Sequence, residues 1–175
     1  MTSAFLRQCP NVGISVMLGT TLYLLLAYQD SMAYGKPNNF YLYHRPDTNR
    51  WVALPYDFDM SYGGPNFASV VTSPIPGPAD FANNQLAKRV MEVPAFHATF
   101  INYVEEVATV WMSAAQQEAW VGEFDDLLRP EIPDDPTYQP ELYDMAIGNS
   151  ADGLLGWVAS RRTFLLGAVG EMPGK

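Results

Sequence analysis

Two pairs of hard-oxygen side chains bracket a short turn-rich stretch: Asn38 and Asn39 stand before it, Asp57 and Asp59 after it. Amide oxygens and carboxylates of this kind suit a small divalent cation such as Mg²⁺ or Mn²⁺ rather than a thiolate- or imidazole-loving metal. They lie about 20 residues apart in the chain, so only a reversal of direction could unite them. Residues 40–44 and 51–54 are aromatic and β-branched runs, and Arg45-Pro46-Asp47-Thr48-Asn49-Arg50 between them is rich in turn formers. That pattern predicts a β-hairpin. With its turn near Asp47, residues whose numbers sum to about 94 would face one another, which sets Asn38 and Asn39 against the entry to Tyr56-Asp57-Phe58-Asp59. Asp30 lies upstream, where a loop could bring it to the same place. An EF-hand does not fit, because counting from Asp57 puts Tyr62 at the glycine position and Ala68 at the bidentate glutamate position. Lys36, in a Gly-Lys-Pro loop, is a candidate phosphate contact, although such a lysine is usually only solvated.

Protein kinases arrange the same parts in the same order: a catalytic Asp, a metal-binding Asn, a hairpin, then a metal-binding Asp followed by an aromatic residue. In detail the chain resembles the CotH kinase family, atypical protein kinases named after a spore-coat protein. The resemblance is carried by Asp30, by Asn38-Asn39-Phe40-Tyr41-Leu42-Tyr43, by Trp51, by Pro55-Tyr56-Asp57-Phe58-Asp59 and by Gly63-Gly64. Tyr56 stands where the family pattern has Trp. The resemblance implies that ATP and Mg²⁺ (or Mn²⁺) are the cofactors and that the γ-phosphate passes to Ser or Thr of a protein. It implies further that Asp30 orients or deprotonates the acceptor hydroxyl. Asn38 or Asn39 would hold one metal ion and Asp57 the ion that bridges the phosphates, with Asp59 as a second ligand or an orienting partner. A bacterial spore-coat or extracellular setting and a basic, Ser/Lys-rich protein substrate are also implied.

The fold expected is mainly helical α+β: a kinase-like C-terminal lobe, with a catalytic hairpin and a C-terminal helical bundle, forming one domain over residues 1–175. Only 29 residues precede Asp30, with Arg7 as their one charged side chain. A nucleotide-clamping lobe of five strands does not fit in that length, since each strand with its turn takes about 8 to 12 residues. The expectation is therefore a lobe without its clamp, impaired in phosphate transfer on its own.

The formal net charge of −9 argues against nucleic acid and anionic membranes as partners, because both select basic patches. A single cysteine, Cys9, excludes an intrachain disulfide, and His44 and His97 are too few for a histidine metal site. Residues 8–29 carry no charged side chain, and a membrane span needs about 20 mostly apolar residues. Pro10, Asn11, Gly13, Ser15, Gly19, Thr20 and Thr21 interrupt that run, so a buried helix leading to Asp30 is the favoured reading, with a membrane anchor as its rival. No clear signal peptide is visible.

Downstream, Pro74, Pro76, Gly77 and Pro78 predict a loop over residues 68–84. Helices are expected over residues 86–92, from Pro94 with Phe96, Phe100, Tyr103, Val104, Val107 and Trp111 on one face, and from a capping box of Ser113 and Gln116. The last of these is expected to carry Trp120, Phe124, Leu127 and Leu128 inward and to stop at Arg129-Pro130. A short helix from Pro140 and a final one over residues 151–169 follow. Arg161 and Arg162 in the final helix resemble a late arginine of the family, expected to pair with an acidic loop. A non-catalytic structural or interaction module is the alternative function for the same fold.

Overall fold

Pro46 presets the backbone angle at the start of a four-residue reversal, and Asn49 closes it in the left-handed region at φ 52°, where asparagine is among the few tolerated side chains. The His44 ring nitrogen Nε2 meets Asn49 Oδ1 at 2.9 Å, and the His44 ring lies 4.9 Å from that of Trp51. On either side run β1 (Phe40–Arg45) and β2 (Arg50–Pro55). They pair antiparallel from Phe40↔Pro55 to Arg45↔Arg50, so paired numbers sum to 95 and the turn is centred between Asp47 and Thr48. Alternation along β1 leaves Tyr41 and Tyr43 exposed while Phe40 and Leu42 are partly covered, as a ribbon with one solvated face requires.

This description comes from a computed structural model covering residues 39–57, 61, 71–81, 84–134, 136, 139–150 and 153–172. The chain divides into two compact units, Met1–Glu105 and Glu106–Lys175. Besides the hairpin, the first unit holds a 3₁₀ turn at Pro78–Phe81 and the helices α1 (Gln85–Met91) and α2 (Pro94–Glu106). The Asp80 carboxylate accepts a bond from the Gly77 amide at 2.7 Å, which tightens that turn inside the expected loop. Asn84 caps α1, its Oδ1 accepting from the Ala87 amide at 3.1 Å, and so satisfies one of the free donors of the first turn. Pro94 opens α2 where its missing N–H costs nothing. Among the described residues of this unit, Phe81, Ala87, Val90, Met91, Phe100, Ile101 and Val104 are buried apolar side chains.

In the second unit a π-helical turn, Val107–Trp111, is followed by α3 (Ala114–Leu128), a 3₁₀ turn at Ile132–Asp134, α4 (Pro140–Ile147) and α5 (Leu154–Gly170). Among the described residues the fold is thus mainly helical α+β, a two-stranded hairpin followed by five helices. α5 touches the π-turn, α3 and α4, and it buries Trp157, Val158, Arg161, Leu165 and Val169, mostly at four-residue intervals on one face. The loop before α5 packs so closely on its first turn that a Cβ at Gly156 would collide with the Ser150 carbonyl. Glycine is required there for space.

Two expectations fail in this unit. Trp111 is exposed rather than in line with Phe100 and Val104. The π-turn explains it: the Met112 amide reaches back to Val107 O at 2.9 Å, the turn takes up an extra residue, and Ala108 and Met112 are buried in place of Trp111. The second failure is α3, which buries no residue. Gln117, Val121 and Asp125 form its half-covered line, whereas Phe124 and Leu127 are 63% and 69% exposed. Polar contacts set that orientation. Gln117 donates to Trp111 O at 2.7 Å, and Asp125 accepts from the Tyr143 hydroxyl at 2.9 Å. Ser113 occupies the N-cap position of α3 without a side-chain cap bond.

Candidate functional site

The open end of the hairpin is where the two strands stop pairing. The Tyr56 amide donates to Asn39 O at 2.9 Å, one step beyond the Phe40↔Pro55 pair. At that level both strands turn sharply, with Asn39 at φ 58° and Asp57 at φ 57°. Short polar side chains tolerate left-handed backbone and most others do not, so the residue types able to donate oxygen to a cation are also the types this bend demands. The register brings Asn39 beside Tyr56-Asp57, with strands about 5 Å apart at the last pair. Above the ribbon, the Tyr41 and Tyr56 rings meet edge to face with centroids 5.6 Å apart, which fixes the exit of β2 against β1.

Of the residues singled out in the sequence, Asn39 and Asp57 fall among those described and are brought to one end of the ribbon. Asp30, Lys36, Asn38 and Asp59 lie outside the described residues, as does the uncharged run over residues 8–29. Among the described residues no helix is long and apolar enough to cross a membrane, and no cluster of three or more His, Cys, Asp or Glu is formed. The donor chemistry of Asn39 and Asp57, one carboxamide and one carboxylate, fits a Mg²⁺ or Mn²⁺ ion that completes its shell with phosphate oxygens and water. What the sequence reading missed here is the pair of left-handed residues. The Asn and Asp at the strand ends were its one legible trace.

The model of the CotH kinase protein family matches residues 22–165. The chain belongs to the CotH kinase family. Membership implies ATP use, and the matched span contains the hairpin and nearly all of the helical part of this CotH-family chain. No curated protein is similar enough to count as a match.

The late arginines of this CotH-family chain lie in α5, and Arg162 differs from expectation. Arg162 donates from Nε to the Ala108 carbonyl at 2.9 Å, a main-chain acceptor inside the π-turn rather than an acidic loop. Arg161 is fully buried, with its guanidinium carbon 5.3 Å from the centre of the Phe164 ring. A cleft of about 150 Å³ runs between α3 and α5, with Gln117, Glu118, Val158 and Arg162 among its walls. Nearby, Asp125 joins α3 to α4 through Arg129 and Tyr143. The Arg129 guanidinium, at 3.0 Å, and then the Tyr143 hydroxyl hold the Asp125 carboxyl below its ordinary range.

Proposed function

We propose that this chain carries the acceptor side of a CotH-type protein kinase, which transfers the ATP γ-phosphate to a Ser or Thr hydroxyl of a protein. The observation that carries the reading is the Tyr56–Asn39 pairing at 2.9 Å, which sets Asp57 and Asn39 at one mouth in a chain of this family. In this reading Asp30 accepts the proton of the substrate hydroxyl. The hydroxyl oxygen attacks the γ-phosphorus, the bond to the bridging oxygen breaks, and ADP leaves. Asn39 or Asn38, with Asp57 and Asp59, would hold the divalent ion, which supplies neutralisation of the phosphate charge. Such a transfer asks for positioning and charge neutralisation more than covalent chemistry. Lys36 is assigned a supporting contact to phosphate.

Calorimetric titration of the chain with ATP, with and without Mg²⁺, tests this reading. Mg²⁺-dependent binding is expected, and Asp57→Ala should weaken it at least about tenfold, because even outer-shell losses around a metal cost that much. Identical heats for wild type and Asp57→Ala would end the assignment.

A further inference from the structure

We propose that the outer face of α3 is a docking surface for a basic amphipathic helix of another protein. Trp120, Phe124 and Leu127 recur at i, i+4 and i+7 and share one helix face, and all three are exposed, as is the adjoining Leu128. Trp111 extends the stripe beyond the helix start, its ring stacked on that of Trp120 at 5.8 Å with 10° between planes. A continuous apolar strip with a polar border marks an interaction site far more often than scattered surface hydrophobics do.

The charge beside the strip selects the partner. Between residues 114 and 131, in α3 and just past its end, there are five Asp and Glu against one basic residue, Arg129. Arg129 is already engaged by Asp125 at 3.0 Å and Asp144 at 2.9 Å. Glu123 borders the strip beside Leu127, Asp126 lies behind Glu123 on the same flank of the helix, and Glu131 lies beyond its end. Among the described residues none of these three takes part in an ion pair. A partner must therefore supply apolar side chains and cations together. A second copy of the chain would lay the same acidic row against itself, and an anionic membrane or nucleic acid would be repelled. From Trp120 to Leu127 the strip runs about 10 Å along the helix, and Trp111 lengthens it, which matches a partner helix of about three to four turns presenting anchors at i, i+4 and i+7.

The inference does not depend on phosphate transfer and is tested without it. A fluorescently labelled peptide of about 18 residues, with a Leu face at helical spacing bordered by Lys, is titrated against the full chain and followed by anisotropy. One comparison peptide has the same composition with the Leu positions scattered, and another has Glu in place of Lys. Saturable binding of the first peptide alone is expected. It should weaken at least about tenfold in Phe124→Asp and Leu127→Asp, as loss of a central anchor does. It should also weaken severalfold in the double variant Glu123→Lys, Asp126→Lys, which leaves the apolar strip whole. Far-UV circular dichroism of the variants reports whether α3 is retained. Equal binding of the scattered peptide, no binding at all, or unchanged affinity in the charge variant would overturn the proposal. So would self-association in sedimentation that Leu127→Asp abolishes while the peptide fails to bind.

Discussion

The π-turn leaves an acceptor that, among the described residues, one side chain fills, and removing that side chain should have a calculable cost. In an unbroken α-helix the Ala108 carbonyl would receive the Met112 amide. Here that amide goes to Val107 O at 2.9 Å and the Ser113 amide goes to Val110 O at 3.2 Å, so the Arg162 Nε bond to Ala108 O at 2.9 Å stands in for the ladder. Arg162→Met keeps the aliphatic stem, which lines the same cleft as Val158, and removes the donor. A hydrogen bond from a charged donor is worth about 1.5–3 kcal/mol, and the half-covered setting reduces this to about 1–2 kcal/mol, water taking up part of the loss. Deleting the exposed Thr109 should restore regular α-helical bonding through the turn, because a π-turn is one residue longer than the α-turn it replaces. In that background Arg162→Met should cost under about 0.5 kcal/mol, a coupling that a double-mutant cycle isolates. Urea denaturation followed by tryptophan emission measures all four proteins, since Trp111, Trp120 and Trp157 lie in this unit. A loss below about 0.3 kcal/mol in the wild-type background, or equal losses in both, would refute the reasoning.

Two further outcomes follow from the geometry. Asp125 is held below its ordinary value of 3.8 by Arg129 and then by Tyr143. Its contribution to stability should be complete above that value and disappear as the pH falls through the lowered one. Melting temperatures between about pH 2 and pH 6 should therefore drop at the acid end, and Asp125→Asn should flatten that drop. At the hairpin tip, Asn49→Gly should be tolerated at φ 52°, whereas Asn49→Val should lose about 1–2 kcal/mol, read from the near-ultraviolet signal of Trp51 beside His44.

The hairpin was legible because its signals agree: aromatic alternation in two short runs, and Pro and Asn in the turn between them, point to one reversal near Asp47. The starts of α2 at Pro94 and α4 at Pro140 were legible for a similar reason, proline being suited to the first helical turn. Asn84 as the cap of α1 was readable in principle, from an Asn just before an apolar-periodic run. Other features depended on contacts that no local pattern encodes. The π-turn has no composition of its own, so a regular 3.6-residue count carried Trp111 onto the wrong face. For α3 the apolar stripe was read correctly as a stripe, but Gln117 and Asp125 bond to Trp111 and Tyr143, and those long-range partners turned it outward. Arg162 likewise found a carbonyl that exists only because the turn upstream is π-helical. At the mouth of the hairpin, the sequence indicated which strand ends meet, while the left-handed bends beside the last pair became visible only with backbone angles.

Those bends separate the two ends of the ribbon. Because Asn39 and Asp57 both take left-handed angles within one residue of the same level of the ribbon, sliding one strand past the other would force non-left-handed residue types into those angles, and the ribbon stays at its length. The tip at Asp47 and Thr48 lies some six rungs away, about 20 Å, and it can be lengthened, labelled or grafted with a foreign loop while the far end keeps its shape.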